Sequence, residues 1–308
     1  MAEKKTSIGG QALLEGIMMR GPKMTAMAVR NPEGEIVVEE APTFVSKRSP
    51  ILKKPFIRGI FNMYDNLKVG YKYLMRSAEI AGLEDESADE KKAEKESKLF
   101  NYVLMPLTVV LAVALSLGLF MYLPTQLYKW LSIPMPALEG NRFLQSTFEG
   151  LFRIIIFVGY VVAVSFMKDI RRTFMYHGAE HKTIFCYEAG LPLTVENVRA
   201  QKRLHPRCGT AFMILVLLVG IIVGMFIPTT IPTMLRVAIK VLLIPVVVGL
   251  GYELIMFAGR KCNAFTRIVS APGMWLQKVT TKEPDDSMIE CAIAAMEKVI
   301  PEDDSDRW

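Results

Sequence analysis

The sequence predicts a mainly α, polytopic membrane protein with an N-terminal β-hairpin and amphipathic helices, and three observations lead there. Apolar residues make up 51% of the 308 positions against 22% charged. They are clumped into long runs, whereas a soluble chain spreads them over one face of each helix or strand. Lys and Arg gather in particular connections between the runs, which gives a topology. The composition excludes a disordered tail, a collagen and a small disulfide scaffold. Cys186, Cys208, Cys262 and Cys291 are irregularly spaced, and nothing at the N-terminus resembles a secretory signal, so free thiols in a reducing compartment are expected.

Residues 1–98 read as a cytoplasmic N-terminal region. The block from Gly9 to Pro22 (GGQALLEGIMMRGP) sets glycines around one acid and one base. Its spacing matches neither a dinucleotide fingerprint nor a phosphate loop, so a Gly-rich turn tied by a Glu15–Arg20 pair is expected. Met24 to Arg30 and Glu35 to Glu40 flank Asn31-Pro-Glu-Gly34 and predict a β-hairpin. Pro55 to Gly82 places Phe56, Ile60, Met63, Leu67 and Tyr71 at helical spacing opposite Arg58, Asp65, Lys68 and Lys72. This amphipathic helix has two candidate partners, the cytoplasmic leaflet and the protein's own hairpin. The run from Glu84 to Lys98 is too polar to bury and reads as a solvated linker or exposed helix.

Residues 99–258 hold four expected spans: Tyr102 to Tyr122, Leu151 to Met167, Thr210 to Ile227, and Val237 to Phe257. The connection at about 168–208 carries Lys168, Arg171, Arg172, Lys182, Arg199, Lys202, Arg203 and Arg207, so it is placed in the cytoplasm together with both termini. Residues 259–308 form a cytoplasmic helical region. Ala271-Pro-Gly273 is expected to punctuate it, and Pro284-Asp-Asp-Ser287 to open a last helix through Ile300 whose apolar face packs on the cytoplasmic part.

All three histidines, His177, His181 and His205, lie in the basic connection. His177-Gly-Ala-Glu180-His181 is an H-x-x-E-H arrangement: on a helix, the two imidazoles share one face and Glu180 lies beside them. Two metal-site models compete. In one, His177 and His181 take a third ligand, with Glu253 the best outside candidate because it is an ionisable group in an apolar run, and Glu180 acts as general base. In the other, His205 and Cys208 complete a closed His3Cys shell without chemistry. A straight helix from Met167 would put His177 roughly 15 Å beyond the bilayer depth of Glu253, an obstacle that a helix break removes. A third possibility is ordinary hydrogen-bonded histidines without an ion.

The Gly9 block, HGAEHKTIFCYEAG, LHPRCGTAF, GYELIMFAG and APGMWLQKVTTKEPDDSMIE together resemble the YqhQ-like family of bacterial membrane proteins, a domain of unknown function. The resemblance spans almost the whole chain. It implies an inner-membrane protein described as a predicted metal-dependent enzyme, with His177, Glu180, His181, His205, Cys208 and Glu253 as the site. The leading reading is therefore a hydrolase that uses a divalent transition metal, zinc first, at the cytoplasmic membrane surface. Membrane lipids are its surroundings, and peptide or lipid-derived substrates fit the location. A second reading is a scaffold whose basic connection binds an anionic partner such as headgroups, RNA or an acidic protein. The third is a transporter, for which Glu253, Arg153 and Glu149 supply ionisable groups, although no internal repeat is visible.

Overall fold

The computed structural model describes residues 5–43, 52, 54–83, 104–260 and 264–307. The charged run from Glu84 to Lys98 and Cys262 lie outside them. The described residues fall into two compact units that interleave along the chain: Met1–Glu84, Tyr160–Leu215 and Tyr252–Trp308 form one, Asp85–Gly159 and Val216–Gly251 the other.

The first unit is built on an antiparallel meander of four strands, β1 (Gly9–Leu13), β2 (Gly16–Arg20), β3 (Met24–Arg30) and β4 (Ile36–Pro42), in that order. The expected hairpin is β3–β4, closed by Gly34 at φ 88 and by Asn31 Oδ1 accepting from the Glu35 N–H at 2.7 Å. The glycine block is a second hairpin rather than a turn, with Glu15 at φ 51 between Leu13 and Gly16. Glu15 pairs with Arg172 instead of Arg20, whose guanidinium donates to Asn66.

Both faces of β2 and β3 are covered, so neither strand shows a polar alternation. Ile17, Met19, Ala26 and Ala28 join a core completed by helices α5 (Lys168–Glu188) and α11 (Asp286–Glu297), through residues such as Tyr176, Met288 and Met296. Met18, Met27 and Val29 face the opposite way, onto Val69, Tyr73 and Leu74 of α1 (Ile57–Ile80). The amphipathic helix thus covers the protein's own sheet. Its packed stripe is displaced from the predicted one, and Leu67 and Tyr71 remain exposed. Helix α11 opens where expected, with Asp285 capping the Met288 N–H at 3.0 Å.

In the second unit α2 (Met105–Leu117), a π-turn (Gly118–Tyr122) and α3 (Leu123–Ser132) follow one another. Together with α4 (Arg142–Val164) they make two helices long and apolar enough to cross a membrane, Pro106–Ser132 and Arg142–Val164. Leu107, Val110, Leu111 and Leu115 stand outward on the first, as lipid contact requires. Both run beyond the expected limits, the first by ten residues at its C-terminal end and the second by nine at its start.

The other two expected spans are not simple. Helix α7 (Gly209–Gly224) has 16 residues, about 24 Å at 1.5 Å per residue, short of a hydrocarbon core of about 30 Å. Helices α8 (Thr233–Leu242) and α9 (Ile244–Arg260) meet at a 44° bend, so they count as a third span only if taken together. Short α6 (Val195–Arg199) precedes α7. Helix α10 (Ala264–Thr280) runs through Pro272, where a break was expected, and Gly273 there lets Ala211 approach.

Candidate metal centre

Helix α5 begins afresh after Met167, whose ψ of 134 is extended. Three residues of α5, His177, Gly178 and His181, meet backbone oxygens of other segments. Gly178 has no side chain, and a Cβ there would stand 2.0 Å from the Lys282 carbonyl oxygen. The chain at 280–282 therefore lies against α5, held by Lys282 N–H donating to Phe174 O at 2.8 Å. That close approach brings Thr280 O within 2.8 Å of His177 Nδ1. One turn on, His181 Nδ1 stands 2.6 Å from Arg203 O.

A carbonyl oxygen only accepts, so each Nδ1 carries the hydrogen and each Nε2 presents its lone pair when the ring is neutral. His177 Nε2 lies 3.2 Å from Cys208 Sγ. His181 Nε2 is buried and has no hydrogen-bond partner. Among the described residues His177, His181 and Cys208 bring one donor atom each within 4.8 Å of one another. Tetrahedral donors around zinc lie about 3.3–3.7 Å apart, given bonds of about 2.0–2.3 Å. Two imidazoles and a thiol, with both Nδ1 atoms held by backbone oxygens, are thus close to ligation spacing and suit zinc. Thr210 adds contacts at Cys208 Sγ, its hydroxyl at 3.2 Å and its N–H at 3.4 Å.

Glu180 is buried beneath β1, with its side chain against Gly10, where any Cβ would collide with it. Burial pushes its carboxyl above the usual range, opposed by His177 and by the Gly10 N–H. The other expected ligands are committed elsewhere. His205 has its ring 5.6 Å from that of His181, and its Nε2 is directed to Arg207 at 3.3 Å and Glu188 at 3.8 Å. Burial lowers its pKa to about 4, and its backbone is clamped by Gln277, which bonds both its N–H and its C=O at 2.8 Å.

Although burial works against it, the Glu188 carboxyl is held below the carboxylate range by His205, Arg207 and the Thr6 N–H. Glu253 is not beside the histidines. Arg58 grips it in a fork at 2.8 and 2.7 Å, and the Phe56 N–H donates to it at 2.9 Å. Gln277 and Thr280 were missed, since an amide and a backbone oxygen leave no motif. Gly10 and Gly178 are the signals that could have found the close contacts.

The family model for a protein of unknown function (DUF1385) matches residues 54–302. The uncharacterized protein YqhQ of Bacillus subtilis (strain 168) is 38% identical over 297 residues, covering 95% of this chain and 92% of that protein. No solved structure matches the chain. The match over most of the chain places this protein in the YqhQ-like DUF1385 family.

Proposed function

We propose that the protein is a metal-dependent membrane enzyme, a hydrolase, whose ion is held by His177, His181 and Cys208. The observation that carries the reading is the orphaned His181 Nε2, buried beside a histidine and a thiol with both Nδ1 atoms turned to carbonyls. Zinc, if held by such a set, would supply Lewis acidity. The residues supply the rest. Thr280 O and Arg203 O fix the tautomers, and Glu180, beside His181 on the same helix, is assigned the proton-accepting role.

In this reading the protein lies in the bacterial inner membrane, and the Lys and Arg distribution supports a cytoplasmic position for the histidine-bearing connection, where peptide or lipid-derived substrates are accessible. A second reading has one observation in its favour. His181 is 1% and Cys208 9% exposed, which suits a closed structural ion.

The test is elemental analysis of the detergent-purified chain against His181→Ala, followed by turnover of casein peptides, a p-nitrophenyl ester and bis-p-nitrophenyl phosphate. The expected result is stoichiometric zinc lost in His181→Ala, and turnover lost in Glu180→Gln with the ion retained. Turnover kept in Glu180→Gln removes the base. Bound ion that raises the melting temperature without turnover of any probe moves the site to the structural reading. No ion after reconstitution ends both.

A further inference from the structure

The second unit contains a different arrangement, a cavity of about 260 Å³ whose lining joins Glu149, Arg153 and Lys240 to apolar walls that include Leu217, Val223, Leu243 and Val247. Glu149 is 1% exposed and fully engaged. Its Oε1 accepts from Thr125 and Gln145 at 2.9 Å and has Arg236 Nε at 3.4 Å, while Oε2 has Lys240 Nζ at 2.5 Å and Arg153 Nη2 at 3.5 Å. One carboxylate therefore faces three cations.

Two guanidinium nitrogens, Arg153 Nη2 and Arg236 Nη2, are buried without a hydrogen-bond partner. Pro124 explains why Arg153 is placed here. It has no N–H for Phe120 O four residues earlier, and Arg153 Nε donates to that oxygen at 2.7 Å. An arginine cannot shed its charge, and three buried cations sharing one carboxylate leave an excess that is unfavourable among apolar helices. The surplus is positive, and Arg153 lines open space bounded by aliphatic side chains.

We propose that this cavity binds a single-chain amphiphilic anion, a carboxylate or phosphate monoester head seated on Arg153 and Lys240 with its acyl chain along the apolar wall. The head supplies negative charge against the surplus of cations that lines the cavity, and the chain fills space that water occupies poorly. Neither half of the site involves the histidines, so the inference stands apart from the metal reading.

The experiment is thermal unfolding of the full chain in dodecyl maltoside, titrated with oleate, oleoyl lysophosphatidate, oleoyl lysophosphatidylcholine and inorganic phosphate. Saturable stabilisation is expected from oleate or lysophosphatidate, and their ratio identifies the head. The zwitterionic lipid and inorganic phosphate are expected to do nothing. Arg153→Gln is expected to weaken binding about tenfold or more, the loss of a charge-assisted hydrogen bond.

Gly220→Leu keeps every charge and grows into the cavity, since the nearest atom to a Cβ there is Val247 Cγ1 at 3.9 Å. It is expected to weaken binding by a similar factor and carries the test if Arg153→Gln fails to fold. Equal stabilisation by lysophosphatidylcholine, stabilisation by inorganic phosphate alone, absence of any ligand effect, or unchanged affinity in folded Gly220→Leu would each overturn the proposal.

Discussion

The His177–His181–Cys208 cluster and the Glu149–Arg153–Arg236–Lys240 cluster both keep buried nitrogens without hydrogen-bond partners, His181 Nε2 in the first and two guanidinium nitrogens in the second. The first is made of two imidazoles and a thiol, each imidazole oriented by a backbone carbonyl. An unsatisfied neutral acceptor costs about 1–3 kcal/mol. The second is made of charges, two of them on arginines, and its balance rests on one carboxylate. The difference teaches that removing one member should matter far more in the ionic cluster, while the imidazole cluster should respond mainly to changes in the backbone that orients it.

Glu149→Gln is the strongest way to break that comparison. It leaves three buried cations without their counter-charge and is expected to destabilise the chain by about 3–5 kcal/mol, read from unfolding in maltoside micelles. A loss of about 1 kcal/mol or less, typical of an exposed pair, would show that the cations are balanced by something else. Gly178→Ala comes next. Its methyl would overlap the Lys282 oxygen, for an expected loss of about 1–3 kcal/mol together with weaker ion retention as Thr280 O moves off His177. Gly159→Ala is the control, because a Cβ there meets nothing within 4 Å, and its effect is expected to stay within about 1 kcal/mol.

The smallest effect concerns the thiols. Cys291 is fully buried in the core with its pKa pushed up to about 11 by burial, so iodoacetamide at pH 8 should leave it unmodified in the folded chain. Rapid native-state labelling would show that this core opens readily.

Local patterns in the chain foretold the local structure. Asn31-Pro-Glu-Gly34 marked the β3–β4 turn, the apolar spacing from Pro55 marked α1, and Asp285 marked the start of α11. The H-x-x-E-H spacing brought His177 and His181 onto one helix face, while the Glu180 side chain packs against Gly10 of β1. The β1–β2 hairpin was hidden because its strands carry glycines and methionines instead of β-branched residues, and its turn residue is a glutamate.

The span count was hidden by breaks that hydropathy does not register, the 44° bend between α8 and α9 and the short α7. Partner choice was the least visible. Glu253 reads as an isolated acid in an apolar run, yet its partner Arg58 lies 195 residues away. Arg236 and Lys240 in TMLRVAIKVL held a signal that was passed over, two cations one turn apart in an apolar helix.

The stitching of the first unit also governs how the protein is made. Thr6 bonds Glu188 and Asp306, and His177 waits for an oxygen 103 residues further along. At about 5–20 residues per second, a ribosome needs roughly 5–20 s to travel from one to the other. Throughout that interval the nascent β-strands lack α11, one of the two helices that cover their Ile17 and Met19 face. The carbonyl that orients His177 and the helix that completes the sheet's core are therefore both late arrivals in biosynthesis, and until then that apolar strand face stands uncovered on one side.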